Sequence, residues 1–347
     1  MTRGLPQPAR GTSLWEASGF AMTMIRSRYN MNILLFTTGG TIGSAFDGNS
    51  INVSHKGCSV VEKYLSENTH ACVQFDIKSP LNILSESITA DDFNTLAKAL
   101  FEADLSDYDG VILTVGSDNL AYLGTFVGLL FGGCGVPICL VASDKVLSDP
   151  GANGTVNFAC AVELIRQKKS GVYVPYRNSD GVMYVHSATD IRQADLSDDF
   201  VSFHGAYAVF ENGTLREKRP YIAQHIPPVF DRDMPPQIDD IVLLIHPYPL
   251  QDYSGIQPVI TRAALHTLYH SATSDSERFI PWMKAHPDFP VFLASFLSGR
   301  KLYRTAIDAI EAGAIPLYDI APECAYVKLL LACAQGVMSI KEFMKKW

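Results

Sequence analysis

The chain has 347 residues, which is long for one domain and favours two. Apolar residues make up 47% of it and charged residues 18%, a composition typical of a well-packed globular protein and not of a disordered one. The formal charge of −8, without a long Lys/Arg run, argues against nucleic acid as a partner, and no apolar stretch has the ~20 residues of a membrane-spanning helix.

The first 30 residues differ from the rest of the chain. They contain four arginines, one acidic residue and an apolar patch at 20–25 that is too short for the core of a secretory signal. We therefore predict that 1–30 is an extension outside the fold. The seven cysteines are odd in number and scattered through apolar segments, which predicts buried thiols in a cytoplasmic protein and not a disulfide framework.

The first predicted strand, 33–37, is an apolar run typical of burial on both faces. It ends at the turn Thr38–Ser44, whose adjacent glycines allow positive φ and whose hydroxyls face the opening. A second buried strand, 111–115, ends in the same way at Gly116–Asn119. Because open α/β sheets bind ligands at the carboxyl ends of their strands, these turns predict a pocket for a small polar substrate. Ordinary βα turns, with Thr and Asp as helix N-caps, are the alternative.

The other elements predicted before residue 180 keep the same alternation. Helices are predicted at 59–67, 89–102, 119–131 and 156–168. The second begins at an N-cap, Thr89, and the fourth is closed by Gly171 as a C-cap. Strands are predicted at 75–82, 137–142 and 172–176. This alternation is typical of a mostly parallel sheet with helices on both faces.

Five prolines interrupt the alternation at 220–237 and predict a linker or an extended crossing segment. Beyond them, strands are predicted at 241–245, 291–296 and 315–318, and helices at 260–270, 302–312, 323–334 and 339–347. We therefore predict a larger N-terminal α/β domain over 31–219, the linker 220–237, and a smaller C-terminal α/β domain over 238–347. A pocket at the seam of two such domains is common.

The sequence predicts neither a metal nor a cofactor. His266 and His270 are four residues apart, as zinc ligands can be, but no third ligand lies near them, so a surface pair on the predicted helix is expected. The glycine turns match neither a phosphate-binding loop nor the dinucleotide fingerprint, and the sequence contains no Gly-x-Ser-x-Gly elbow.

Taken together, the two turns make the chain resemble the bacterial-type L-asparaginases. Thr38–Gly43 resembles the first signature of that family, and Gly116–Tyr122 resembles the second. The likeness continues through Asn82–Ser87, which is similar to the substrate-holding loop. It also includes Val141-Ala142 with Asn153-Gly154 and Asn157, and the C-terminal segment Ala321–Leu330. It extends in the right order from residue 32 to the end, and it implies a two-domain asparaginase-like α/β fold.

The resemblance also implies a reaction and the residues that carry it. The reaction is hydrolysis of the side-chain amide of L-asparagine to L-aspartate and ammonia, with Thr41 as the nucleophile. Ser117 and Asp118 are the further catalytic residues that it implies. Ser85, Glu86 and Asp118 are implied to bind the amino acid, with acids at the ammonium end and a neutral donor at the carboxylate. The family completes its site from a neighbouring subunit, which implies a homodimer or homotetramer.

Three positions depart from the family pattern. Ser117 replaces the second threonine and keeps its hydroxyl. Gln193 takes the place of the relay lysine, with Arg192 beside it. Glutamine cannot carry a proton and arginine effectively never releases its own. The loop tyrosine is absent from 43–56.

These departures leave two hypotheses open. The first is an asparaginase in which Gln193 and Arg192 stand at the relay position, with Lys168 or Lys169 as an alternative source of the missing cation. The second is a catalytically impaired amino-acid-binding or regulatory protein. The glycine-exposed Thr41 favours the first, because a pure binding protein has no need of a nucleophile.

Overall fold

The computed structural model describes residues 30–46, 51–53, 59–69, 72–221, 226–239 and 242–345, with only the backbone for 44–46 and 51–53. The predicted extension, apart from residue 30, and half of the loop that lacks the family tyrosine lie outside these ranges. In the described part of the chain, no helix is long and apolar enough to cross a membrane.

An eight-stranded sheet forms the larger layer of the molecule. Its strands are β1 (Met31–Thr37), β4 (Val73–Lys78), β5 (Gly110–Thr114), β6 (Pro137–Val141), β7 (Gly171–Arg177), β8 (Met183–Ser187), β9 (Ala208–Glu211) and β10 (Thr214–Glu217). The order is β10-β9-β8-β7-β6-β5-β1-β4. The five strands from β7 to β4 are parallel, and β8, β9 and β10 pair antiparallel. A short ribbon of β2 (Ser44–Phe46) and β3 (Ile51–Val53) follows β1.

Helices cover both faces of this sheet, which is why its parallel strands are continuous apolar runs. The helices are α1 (Ser59–Glu67), α2 (Ala90–Glu102), α3 (Leu120–Phe131) and α4 (Gly154–Arg166). Alternate residues of β1 serve the two faces: Leu34 and Phe36 pack with α2 and α3, whereas Ile33 and Leu35 pack with α1 and α4.

A second sheet of four parallel strands forms the C-terminal part. It contains β11 (Val242–Ile245), β12 (Ala263–Thr267), β13 (Val291–Phe296) and β14 (Ile315–Tyr318) in that order. Its helices are α5 (Ser276–Ala285), α6 (Arg304–Glu311), α7 (Pro322–Ala334) and α8 (Ile340–Lys345). Helix α7 packs on α3 and on β11, β12 and β13, so one apolar cluster is continuous between the two sheets. A larger mostly parallel sheet with a smaller parallel one confirms the predicted fold class.

The prediction of a helix over 260–270 is wrong, because this segment contains strand β12. A short apolar run is compatible with a buried strand as well as with a buried helix, so the sequence pattern alone does not distinguish them. His266 is consequently 0% exposed and bonded through Nε2 to the Tyr253 hydroxyl at 2.8 Å, so it forms no surface pair with His270.

Two smaller predictions are also wrong. Helix α4 ends at Arg166, and Lys168 takes the left-handed conformation with φ of 54°. Gly171 is therefore the first residue of β7 and not a C-cap. Among the cysteines expected to be buried, Cys134 is exposed and Cys72 only partly buried.

Candidate active site

Two glycines bring the turn after β1 into direct contact with its neighbours. Gly39 and Gly40 have φ of 103° and 76°, and Thr41 opens the short 3-10 turn that follows. A Cβ on Gly39 would lie 2.3 Å from the Ile83 carbonyl oxygen, and one on Gly40 would lie 2.4 Å from the Gly116 Cα. Only glycine allows backbones to approach this closely. Thr41 is thereby held at the meeting point of three loops.

The loop after β4 is fastened to this turn by backbone hydrogen bonds. The Ile83 amide donates to the Thr38 carbonyl at 3.0 Å, and the Gly40 amide donates to the Ile83 carbonyl at 3.2 Å. Ser85 then starts a 3-10 turn against Gly116, where an added Cβ would lie 2.3 Å from the Ser85 Cβ. The predicted substrate-holding loop therefore lies between the two signature turns.

The turn after β5 is tied to the same loop by its side chains. The Ser85 hydroxyl donates to Asp118 Oδ2 at 2.6 Å, and the Asn119 side-chain amide donates to the Ser85 carbonyl. Asn119 is the N-cap residue of α3, yet its amide is directed across to the neighbouring loop. Thr89, by contrast, caps α2 with a full capping box, as predicted. The second turn is thus built to join loops, which argues against the N-cap alternative at Asp118.

The structure gathers the predicted site residues onto these three loops. Thr41, Ser85 and Ser117 are partly buried, whereas Glu86 and Asp118 are exposed. All five follow β1, β4 or β5, which are adjacent in the sheet and parallel. The arrangement therefore presents hydroxyls beside carboxylates, a combination suited to a polar ligand that carries an ammonium group.

The two predicted relay replacements are held by the C-terminal part of the chain. Arg192 Nε donates to both carboxylate oxygens of Glu323, at 3.1 and 2.8 Å, and the Gln193 amide donates to Glu323 Oε1 at 3.0 Å. The Glu323 side chain, in the first turn of α7, is only 8% exposed. Gln193 Oε1 is buried and has no hydrogen-bond partner in the described part of the chain. No sequence signal points to Glu323 as a partner, because it lies 130 residues away from Gln193.

Neither Lys168 nor Lys169, the alternative sources of the missing cation, lies at the carboxyl ends of the parallel strands. Lys168 Nζ is 3.6 Å from Asp109, which immediately precedes β5, and Lys169 pairs with Glu217. Both lysines come just before β7, at the amino ends of the parallel strands, whereas the three loops lie at the carboxyl ends. Lys168 and Lys169 are therefore excluded as relay groups. Among the described residues, no group of three His, Cys, Asp or Glu side chains could hold a metal ion.

Known proteins resemble this chain over most of its length. The family model described as Asparaginase, N-terminal, matches residues 32–219, over half of the chain. L-asparaginase from Thermococcus kodakarensis is 25% identical over 337 residues, covering 91% of this chain and 97% of the relative. One of the subunits of glutamyl-tRNA(Gln) amidotransferase from Methanosarcina barkeri is 26% identical over 328 residues, covering 87% of this chain and 74% of the relative.

Solved structures show the same fold. The thermostable L-asparaginase from Thermococcus kodakarensis superposes with a TM-score of 0.73 at 21% identity, covering 91% of this chain and 98% of that one. A probable cytoplasmic L-asparaginase from Campylobacter jejuni superposes with a TM-score of 0.69 at 19% identity, covering 91% and 100%.

Proposed function

This chain belongs to the asparaginase family, and from that premise we propose that it hydrolyses the side-chain amide of L-asparagine, with Thr41 as the nucleophile. The family membership supports an amidohydrolase. The observation that supports the specific proposal is the close approach, at Gly40 and Gly116, of the three loops that carry Thr41, Ser85 and Asp118.

The proposed roles follow from the chemistry of each group. Thr41 attacks the side-chain carbonyl, and the Ser117 hydroxyl and the Asp118 carboxylate are the groups proposed to assist its proton transfer. Asp118 and Glu86 supply the negative charge that an α-ammonium group needs. Ser85, whose hydroxyl donates to Asp118, orients that carboxylate and is proposed to hold the α-carboxylate of the substrate.

The choice of amide and of subfamily belongs to the same proposal. The relatives named as an L-asparaginase and as part of a glutamyl-tRNA(Gln) amidotransferase are similar to this chain at almost equal identity. We propose asparagine as the amide and the bacterial type as the subfamily, because the two signature turns resemble those of the bacterial type, apart from Ser117 in the second. Assays that compare L-glutamine with L-asparagine as substrates determine which amide is hydrolysed.

A catalytically impaired amino-acid-binding protein is the second candidate, and one observation favours it. The relay position holds Gln193, which carries no proton, and the charge of its neighbour Arg192 is engaged by Glu323. Such a protein would bind L-aspartate and L-asparagine through Asp118 without turnover. The two candidates therefore differ in ammonia release and not in binding.

The experiment measures ammonia release and ligand binding on the same purified variants. We expect wild type to release ammonia from L-asparagine, Thr41→Ser to keep part of that activity, and Thr41→Ala to lose it while still binding L-aspartate in calorimetry. The reason is that serine retains the attacking oxygen and alanine does not. Equal rates for wild type and Thr41→Ala would refute the nucleophile. Binding without ammonia release in wild type would establish the second candidate.

We further propose that the protein works in the cytoplasm as a homodimer or homotetramer. Helix α7 does not supply the interface, because its apolar residues are buried between the two sheets of its own chain. Exposed apolar side chains on the segment 248–260 are better placed to form the interface between subunits. They are Tyr248, Leu250, Val259 and Ile260, which are between 58% and 82% exposed. Sedimentation at micromolar protein concentration measures the oligomeric state, and a monomer would contradict this proposal.

A further inference from the structure

The hairpin turn between β9 and β10 consists of Asn212 and Gly213. Their φ angles are 50° and 73°, and positive φ at both positions is typical of a two-residue hairpin turn. Glu211 pairs with Thr214 across the turn, and all four residues are exposed. A Cβ on Gly213 would meet no described atom within 4 Å. The pair therefore lies at a solvent-accessible tip, on the edge hairpin of the eight-stranded sheet.

Asparagine followed by glycine is a chemically labile pair. The backbone nitrogen of the second residue can attack the side-chain carbonyl carbon of the first and close a five-membered ring, and asparagine is among the thermolabile residues of proteins. Glycine hinders this approach least, because it has no side chain and the widest choice of backbone angles. At this turn the attacking nitrogen is available, because the Gly213 amide donates to no backbone carbonyl in the described part of the chain.

The sequence contains a second Asn-Gly-Thr triplet, beginning at Asn153, and the fold holds every group of it that this reaction uses. Asn153 is 3% exposed, its Oδ1 accepts from the Asp144 amide at 3.0 Å, and its Nδ2 donates to the Arg177 carbonyl at 2.9 Å. The Gly154 amide, which is the attacking nitrogen there, donates to Ser143 Oγ at 3.1 Å. Reaction at Asn153 therefore requires local opening of a buried loop.

We infer that Asn212 is a site of spontaneous modification, at which the folded protein converts the side-chain amide to aspartate and isoaspartate. The Gly213 backbone nitrogen loses its proton to water and bonds to the Asn212 side-chain carbonyl carbon. The bond from that carbon to the side-chain nitrogen breaks, and the nitrogen leaves as ammonia with the proton that it needs. Water then opens the ring at either carbonyl. One water is consumed, one ammonia is released, and the turn gains one negative charge at neutral pH.

The main product changes the hairpin and not the candidate active site. In isoaspartate the main chain passes through the β-carbon, which adds one atom to a two-residue loop. Because the loop sets the register of a hairpin, the pairing of Glu211 with Thr214 is altered in this product. Strand β10 is at one edge of the sheet, whereas β1, β4 and β5 are at the other end of the strand order. The inference therefore does not rest on the proposed function.

The test follows both triplets in one sample of the purified full chain, kept folded at mildly alkaline pH. Peptide mapping by mass spectrometry measures the conversion at each asparagine, and labelling by an isoaspartyl methyltransferase identifies the isoaspartate. We expect conversion at Asn212 to be at least about a hundredfold faster than at Asn153, because only the latter needs local opening. In urea, where both triplets are unfolded, we expect this difference to disappear. Equal rates in the folded chain, or a difference that persists in urea, would overturn the inference.

Two variants locate the reacting groups. Asn212→Gln lengthens the side chain by one methylene, so that the ring to be closed has six members, and we expect the acidic species to be absent from its isoelectric focusing pattern. Thr41→Ala is expected to convert Asn212 at the rate of wild type, because the nucleophile is the Gly213 nitrogen. Loss of conversion in Thr41→Ala would show that the active site of another molecule attacks Asn212, and would overturn the inference. Because Asn212→Gln is expected to keep wild-type ammonia release from L-asparagine, the failure of either proposal is visible without the other.

Discussion

The charge at the relay position is set by a residue that belongs to the C-terminal part of the chain. Glu323 accepts two hydrogen bonds from Arg192 and one from the Gln193 amide, so the guanidinium is already engaged. Replacing Arg192 would leave the buried Glu323 carboxylate without its cation, which we expect to cost about 1–3 kcal/mol of stability, because the Arg192 side chain is itself 39% exposed. Arg192 is therefore better understood as holding the turn than as supplying charge to a proton relay.

Whether residue 193 takes part in the proton relay can be tested by restoring the lysine of the family pattern at this position. A cation beside a hydroxyl favours its deprotonation, and general-base assistance is typically worth ~10²–10⁴-fold in rate. We therefore expect Gln193→Lys to raise kcat for L-asparagine by about 10²-fold, or to create activity where wild type has none. Gln193→Met, a neutral side chain of similar length, is the control and is expected to give no gain. Equal ammonia release from both variants would show that residue 193 does not contact the relay.

At the level of elements, the site depends on glycines that allow loops to touch. The contact between Gly116 and Ser85 makes a sharp test, since a Cβ there would lie 2.3 Å from the Ser85 Cβ. We expect Gly116→Ala to displace the Ser85 turn, with a loss of stability of about 1–3 kcal/mol from overpacking and weaker L-aspartate binding in calorimetry. Gly133→Ala is the matched control, because its added Cβ meets no described atom within 4 Å. Unchanged binding by Gly116→Ala would mean that the Ser85 loop is not part of the ligand site.

Elements could be predicted well where a sequence signal is local and poorly where it is not. The predicted bounds of α1, β13 and β14 match the structure, and Thr89 forms the expected cap, because apolar periodicity and capping residues act within a few positions. Strand β12 was missed because its five buried residues have no period of their own. Helix α5 was missed because Pro281 interrupts its pattern. The bonds of Glu323 join loops distant in sequence, and no local pattern encodes them.

At the scale of the whole molecule, α7 connects the two sheets and carries a buried charge. Lys328 is 0% exposed, within the cluster that extends from β1 to β13, and its Nζ donates to the Met344 carbonyl of α8 at 3.2 Å. Burial lowers the pKa of Lys328 from 10.5 to about 8, and the neighbouring Cys324 opposes part of that shift. The packing of the two sheets against each other therefore includes a lysine whose protonation opposes folding.

The sign of that effect gives a pH-dependent prediction for Lys328→Met. Between pH 8 and about 10.4 the unfolded chain binds a proton at this lysine that the folded chain does not, so the contribution of Lys328 to the free energy of unfolding rises with pH. Methionine carries no charge, and the titrations of groups that do not contact Lys328 cancel between the two proteins. Burial raises the pKa of the neighbouring Cys324, so that its thiol stays protonated in the folded state of both. We expect the stability of Lys328→Met relative to wild type to be highest at pH 7 and to fall by on the order of 2–3 kcal/mol by pH 10. Urea unfolding at pH 7, 8, 9 and 10 measures this difference, with the exposed Lys341→Met as the control, and a difference that does not vary with pH would show that Lys328 titrates alike in the folded and unfolded chains.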